Sequence, residues 1–179
     1  RSRLRQPPRR AVALAGERGT RVGLAAHALI DGVRFVDDSK ATSPHAAAAS
    51  LTSFDSIVWV AGGLGKAIPF DDLVIAAAPR LRGVVLIGAC RAQIHDAITR
   101  HAPDVPVVEV GGQDTEDVIL DAVVAHAAAL ARPGDVVLLA PAAASMDMFR
   151  DYKHRGDAFA AAVRRLAQIR AAKTSPSGL

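Results

Sequence analysis

The chain is poor in the groups that most often announce a function. One cysteine in 179 residues excludes a disulfide framework and, without a second thiolate, a cysteine-rich zinc cluster. Six histidines are scattered with no His-Glu-x-x-His spacing, so no zinc site is expected. Aromatic residues make up 4% of the chain, and none lies among the arginines near the start, which leaves no stacking platform for single-stranded nucleic acid. No apolar run approaches the roughly 20 residues of a membrane helix, and no apolar signal core follows the Arg-rich start. There is neither a Gly-x-x-x-x-Gly-Lys-Ser/Thr phosphate loop nor a Gly-x-Gly-x-x-Gly dinucleotide fingerprint. These absences point to a cytoplasmic protein kept in a reducing compartment. Cys90, at the end of the run Val84-Val85-Leu86-Ile87, is expected to be a buried small hydrophobe rather than a nucleophile.

What is present is apolar and unevenly charged. Half of the residues are hydrophobic, enough for one domain with a proper core. The net charge of +4 is concentrated near the start: residues 1–22 hold seven Arg against Glu17. The remaining 15 basic and 17 acidic side chains make the body mildly acidic. Residues 1–23 therefore read as a basic leader or linker, expected to be disordered or foreign to the domain, and a nucleic-acid arm is the lesser alternative.

From Gly23 onward the periodicity sharpens. Residues 24–30 and 33–36 flank Asp31-Gly32 and predict a hairpin. Pro44, with Ser43 as N-cap, predicts a helix through the alanine run to Leu51. Apolar strands are expected at 56–61, 83–88, 105–110 and 136–140, and helices at 71–81, 91–101, 114–131, 146–152 and 157–172. Strands that are apolar on both faces and alternate with helices predict an α/β fold, Rossmann-like, with a mostly parallel sheet covered on both faces and preceded by the hairpin.

Three predicted strand ends carry polar groups among small residues. They are Asp37-Asp38-Ser39-Lys40-Ala41-Thr42, Gly62-Gly63-Leu64-Gly65-Lys66, and the segment from Ala140 to Ser145. Ligands of open α/β sheets collect beyond the carboxyl ends of strands. Lys40 and Lys66 supply charge there, and Thr42 and Ser145 supply hydroxyls, a set suited to a dicarboxylate or a phosphate. Taken singly, each has a plainer reading: solvated lysines, Asp37 and Asp38 capping a turn, and Ser145 as N-cap of the 146–152 helix.

The same stretches carry a family likeness. Asp38-Ser39-Lys40-Ala41-Thr42, Gly62-Gly63-Leu64-Gly65-Lys66, Pro133-Gly134-Asp135 through Ala140-Pro141-Ala142 to Ser145, then Asp147, Phe149 and Arg155-Gly156 resemble the C-terminal domain of the Mur ligases of peptidoglycan synthesis. The likeness is to the branch that adds D-glutamate to UDP-N-acetylmuramoyl-L-alanine, and it spans about residues 29–170. It implies a domain over residues 24–172; the residues after the closing helix, 173–179, read as a frayed tail. It also implies a three-domain enzyme in which ATP, with Mg2+, phosphorylates the L-alanine carboxylate and the amine of D-glutamate attacks the acyl phosphate. By motif position, Lys66 and Thr42 are implied to bind one carboxylate of D-glutamate, and Ser145, Lys40 and the region of Tyr152 the other. Asp38 is implied to contact the ATP nucleoside. Ala140 stands where the family has Ser, Tyr152 where it has Phe, and Arg21 matches a family Arg only with a two-residue shift; the first change is expected to remove a hydroxyl near the pocket. Without a phosphate loop, magnesium ligands or a UDP-binding domain, the chain is expected to be a fragment, inactive alone. The alternatives are a folylpolyglutamate synthetase-type C-terminal domain, against which the Asp-Ser-Lys-Ala-Thr segment argues, and a non-catalytic α/β module holding an acidic amino acid or a protein partner.

Overall fold

The computed structural model describes residues 25–65 and 68–174. The chain runs β1 (Ala25–Ile30), β2 (Val33–Asp37), α1 (Pro44–Leu51), β3 (Ile57–Gly62), α2 (Asp71–Ala77), a 3₁₀ turn (Ala78–Arg80), β4 (Leu81–Ile87), α3 (Arg91–His101), β5 (Val107–Glu109), α4 (Glu116–Leu130), β6 (Val136–Leu139) and α5 (Tyr152–Thr174). The six strands form one sheet in the order β1-β2-β6-β3-β4-β5, with β1 antiparallel and every other pairing parallel. This is the expected Rossmann-like α/β class.

The hairpin turns where the sequence predicts. Asp31 and Gly32 have φ of 51° and 81°, the pair of left-handed residues that a tight two-residue turn requires. Beyond it, alternation within the strands sorts the core into two layers. Ile57, Trp59, Val84, Leu86, Val136 and Leu138 pack with α1, α2 and α3, whereas Val58, Val60, Val85, Ile87, Val137 and Leu139 pack with α4 and α5. Strands buried on both faces in this way need crossover helices on both sides, which explains their continuous apolar runs.

Four expectations need correction. The 71–81 helix stops at Ala77, and Leu81 opens β4 instead. Pro79 has no N–H to continue the helical ladder and its ring crowds the preceding turn. β5 shrinks to three residues. The 146–152 helix does not form, so Ser145 caps none: its carbonyl accepts the N–H groups of Met148 and Phe149 in an isolated turn, which buries Phe149. Finally, α5 begins at Tyr152 rather than at residue 157. The Asp151 carboxylate accepts the His154 N–H at 2.7 Å and its carbonyl accepts that of Arg155, so Asp151 is the capping residue that starts the helix early.

Candidate functional site

Because β2, β6 and β3 are neighbours, the three polar strand ends lie side by side on the carboxyl edge. Backbone bonds lace the loops together. The Asp38 N–H donates to Leu139 O at 2.7 Å, Ala142 N–H to Ala41 O at 2.9 Å and Gly62 N–H to Pro141 O at 2.8 Å. Leu64 and Ala144 form an antiparallel bridge. The glycine loop is wedged in place: a Cβ on Gly62 would stand 2.0 Å from Ile87 O, and one on Gly63 2.2 Å from Ala144 O. With φ of 111° and 144° at these positions, only glycine fits without moving the backbone.

Arg155 holds this edge from beneath. It is fully buried and donates from Nε to Ser39 Oγ at 2.9 Å, from Nη2 to Ser39 O at 2.8 Å and from Nη1 to Ala143 O at 3.1 Å. Ser39 Oγ in turn donates to the Tyr152 carbonyl at 2.7 Å. One guanidinium thus joins the loop after β2, the loop after β6 and the first turn of α5. Burial pushes its pKa down to about 10, against the opposing charges of Asp147 and Asp37, so it stays a cation at neutral pH. Asp147 fastens the far side, accepting the Ala89 N–H at 2.9 Å. Cys90 lies beneath the glycine loop, its N–H bonded to Gly63 O. Burial raises its thiol pKa and the Asp147 charge adds to that, which suits the inert role expected of it.

The candidate residues sit at different depths. Lys40, Thr42 and Tyr152 are exposed, and Ser145 is buried below them. Lys66 lies outside the described residues. Asp38 is half-buried, and its Oδ2 accepts from Ser50 Oγ of α1, leaving Oδ1 without a hydrogen bond among the described residues. Asp37 does cap the turn, accepting the Ser39 N–H at 2.6 Å. The change at Ala140 falls in the core and not in an open pocket. Ala140 is fully buried in the layer under α1–α3, and its carbonyl accepts the Trp59 indole N–H at 2.7 Å. Arg155, which the motif contains but to which the sequence assigns no role, is the residue that reasoning missed. The signal was Gly156 beside it, since glycine inside a helix is costly unless packing demands it; here a Cβ would come 2.5 Å from Asp37 Oδ2.

An open, mostly parallel α/β sheet with three small-residue loops at its carboxyl edge is the frame of a ligand-holding domain. The chain belongs to the Mur ligase, glutamate ligase domain family, whose model matches residues 21–143. It is 63% identical over 137 residues to the UDP-N-acetylmuramoylalanine--D-glutamate ligase of Streptomyces coelicolor, covering 76% of this chain and 29% of that protein. Its identity to the enzyme of the same name from Frankia casuarinae is 65%, covering 76% of this chain and 28% of the relative. With that of Mycolicibacterium smegmatis it is 52% identical, covering 75% of this chain and 33% of the relative. The chain thus spans about a third or less of the curated relatives it matches.

Proposed function

We propose that this domain, over residues 24–172, holds D-glutamate in the cytoplasmic, ATP-dependent ligation of D-glutamate to UDP-N-acetylmuramoyl-L-alanine, and that it requires the rest of such an enzyme to act. The observation that carries the reading is the convergence of three polar strand ends into one edge locked by Arg155. The relatives' shared name favours it over the folylpolyglutamate alternative and over a non-catalytic module.

In this reading Lys66 and Thr42 take one carboxylate of D-glutamate, and Ser145, Lys40 and Tyr152 take the other. Two cations facing a dicarboxylate make charge-assisted hydrogen bonds, the strong kind. The domain's catalytic value is positional: it holds the attacking amine in line with an acyl phosphate formed elsewhere, converting an encounter into an intramolecular approach. Asp38 suits a nucleoside hydroxyl. Ser50 fixes one carboxylate oxygen and the other remains available. Among the described residues no group of three or more His, Cys, Asp or Glu could hold a metal ion; in this reading the rest of the enzyme would hold the magnesium that accompanies ATP. ATP, when bound, supplies the phosphoryl group that activates the acceptor carboxylate.

Two measurements test the reading. Supplied with ATP, magnesium, UDP-N-acetylmuramoyl-L-alanine and D-glutamate, the chain alone is expected to release no phosphate at an enzymatic rate; normal turnover would sink the claim that it needs other domains. In an intact ligase carrying this domain, Lys66→Ala is expected to raise KM for D-glutamate more than for ATP. An unchanged KM for D-glutamate would remove Lys66 from the pocket.

A further inference from the structure

β1 and β2 do not pair evenly. Ala26 faces Val36 and Ala28 faces Phe35, so His27 is the extra residue of a bulge, and a bulge re-aims the side chain it inserts. The imidazole is turned toward α5 and the end of β2. It meets the Phe159 ring edge-on with centroids 6.4 Å apart, and its Nε2 lies 3.5 Å from Asp37 Oδ2. That nitrogen is closed off from solvent and has no hydrogen-bond partner among the described residues, a costly state for a buried polar atom. The side chains are only 21% and 15% exposed, so solvent screens the pair weakly.

Asp37 is the carboxylate that starts the loop carrying Ser39, Lys40 and Thr42. While Oδ2 faces His27, Oδ1 accepts the Ser39 N–H. Ser39 then passes the contact on to Arg155 and to the Tyr152 carbonyl. A continuous polar path therefore runs from the β1 bulge to the first turn of α5. The charged group facing the imidazole is Asp37 of β2, and Arg155 of α5 acts on that carboxylate through its charge. Phe159 contributes only its ring.

We propose that His27 is a positioning residue for the loop after β2, acting through the Asp37 carboxylate on Ser39 and its neighbours. The assignment of that loop to D-glutamate rests on the reading above; the coupling from His27 to Ser39 does not. Protonated imidazole faces Asp37 as a cation and holds its carboxylate in place, while the neutral ring holds it less firmly.

The test follows backbone amides and imidazole resonances of the full chain by NMR from about pH 8 to about pH 5, the range in which histidines titrate. Wild type is compared with His27→Val, which keeps strand propensity without a donor, and His27→Gln, which keeps a neutral donor. The Ser39 amide is expected to move with the midpoint of the His27 ring, and to lose that movement in both variants. D-glutamate affinity at the acid end is expected to fall about threefold in His27→Val, the scale of a single ion pair acting through one intervening residue, and to recover in part in His27→Gln. A Ser39 amide that does not follow His27, or that moves equally in His27→Val, overturns the proposal. If D-glutamate perturbs no resonance in wild type at any pH, the substrate reading fails, and the Ser39 response still decides the coupling.

Discussion

At the scale of single residues, Arg155 matters most. Its three hydrogen bonds satisfy two backbone carbonyls and a hydroxyl inside the protein, and its planar fork reaches all of them at once. A lysine ammonium is a point charge on a flexible stem and does not reproduce that geometry. Arg155→Lys is therefore expected to leave buried acceptors unpaired and to cost about 2–4 kcal/mol. Urea denaturation measures this, and amide shifts should concentrate at Ser39 and Ala143. A loss below about 0.5 kcal/mol, within the range of ordinary surface substitutions, would show that the clamp is dispensable. Residues of this kind are poorly legible in a sequence. Lys40 and Thr42 stand out because they are polar at a strand end, whereas Arg155 follows Lys153 and His154 and looks like one more solvated helix charge. Its burial comes from the meeting of three loops distant in sequence. His27 is hidden for a related reason: a bulge arises from the pairing of two strands and leaves no mark in one of them.

At the scale of elements, turn and cap chemistry was readable where the signal is local. Asp31-Gly32 and Ser43-Pro44 place the hairpin and the start of α1 correctly, and the Ser43 side chain accepts the Ala46 N–H. The start of α5 was misplaced because Asp151 caps it from within a segment that itself resembles a short helix. β6 shows how one element serves two edges. Its carboxyl end feeds the candidate site, and at its amino end the buried Asp135 accepts from Arg82 Nε at 3.0 Å and from the Arg132 N–H at 2.8 Å. Burial alone would raise this carboxyl, but the hydrogen bonds from Arg82, Ser56 and Arg132 outweigh it and hold the pKa below its ordinary value of 3.8. A lowered carboxyl pKa contributes stability that is present in full above 3.8 and is lost as pH falls through the folded-state value. Asp135→Asn is expected to flatten the acid limb of a stability-versus-pH curve below about pH 4. If the acid limb is as steep in the variant as in wild type, Asp135 does not supply this linkage.

At the scale of the whole molecule, the question is whether the two apolar layers on either side of the sheet unfold together. The central strands belong to both, since Trp59 faces one layer while Val58 and Val60 face the other. No strand can leave one layer without opening the other, so the domain should behave as a single cooperative unit. The sequence holds the means to test this: Trp59 is the chain's one tryptophan, is fully buried and reports on the layer under α1–α3. Leu120 of α4 is fully buried on the opposite side. Leu120→Ala is expected to cost about 2–5 kcal/mol, as for other large-to-small core changes. The urea midpoint read from Trp59 fluorescence should shift by as much as the one read from far-ultraviolet circular dichroism, although the mutation touches the other layer. A Trp59 transition that stays put while the helical signal moves would mean that the layers melt separately. The carboxyl edge would then be anchored by the β2-β6-β3 loops and Arg155 alone, without support from a shared core.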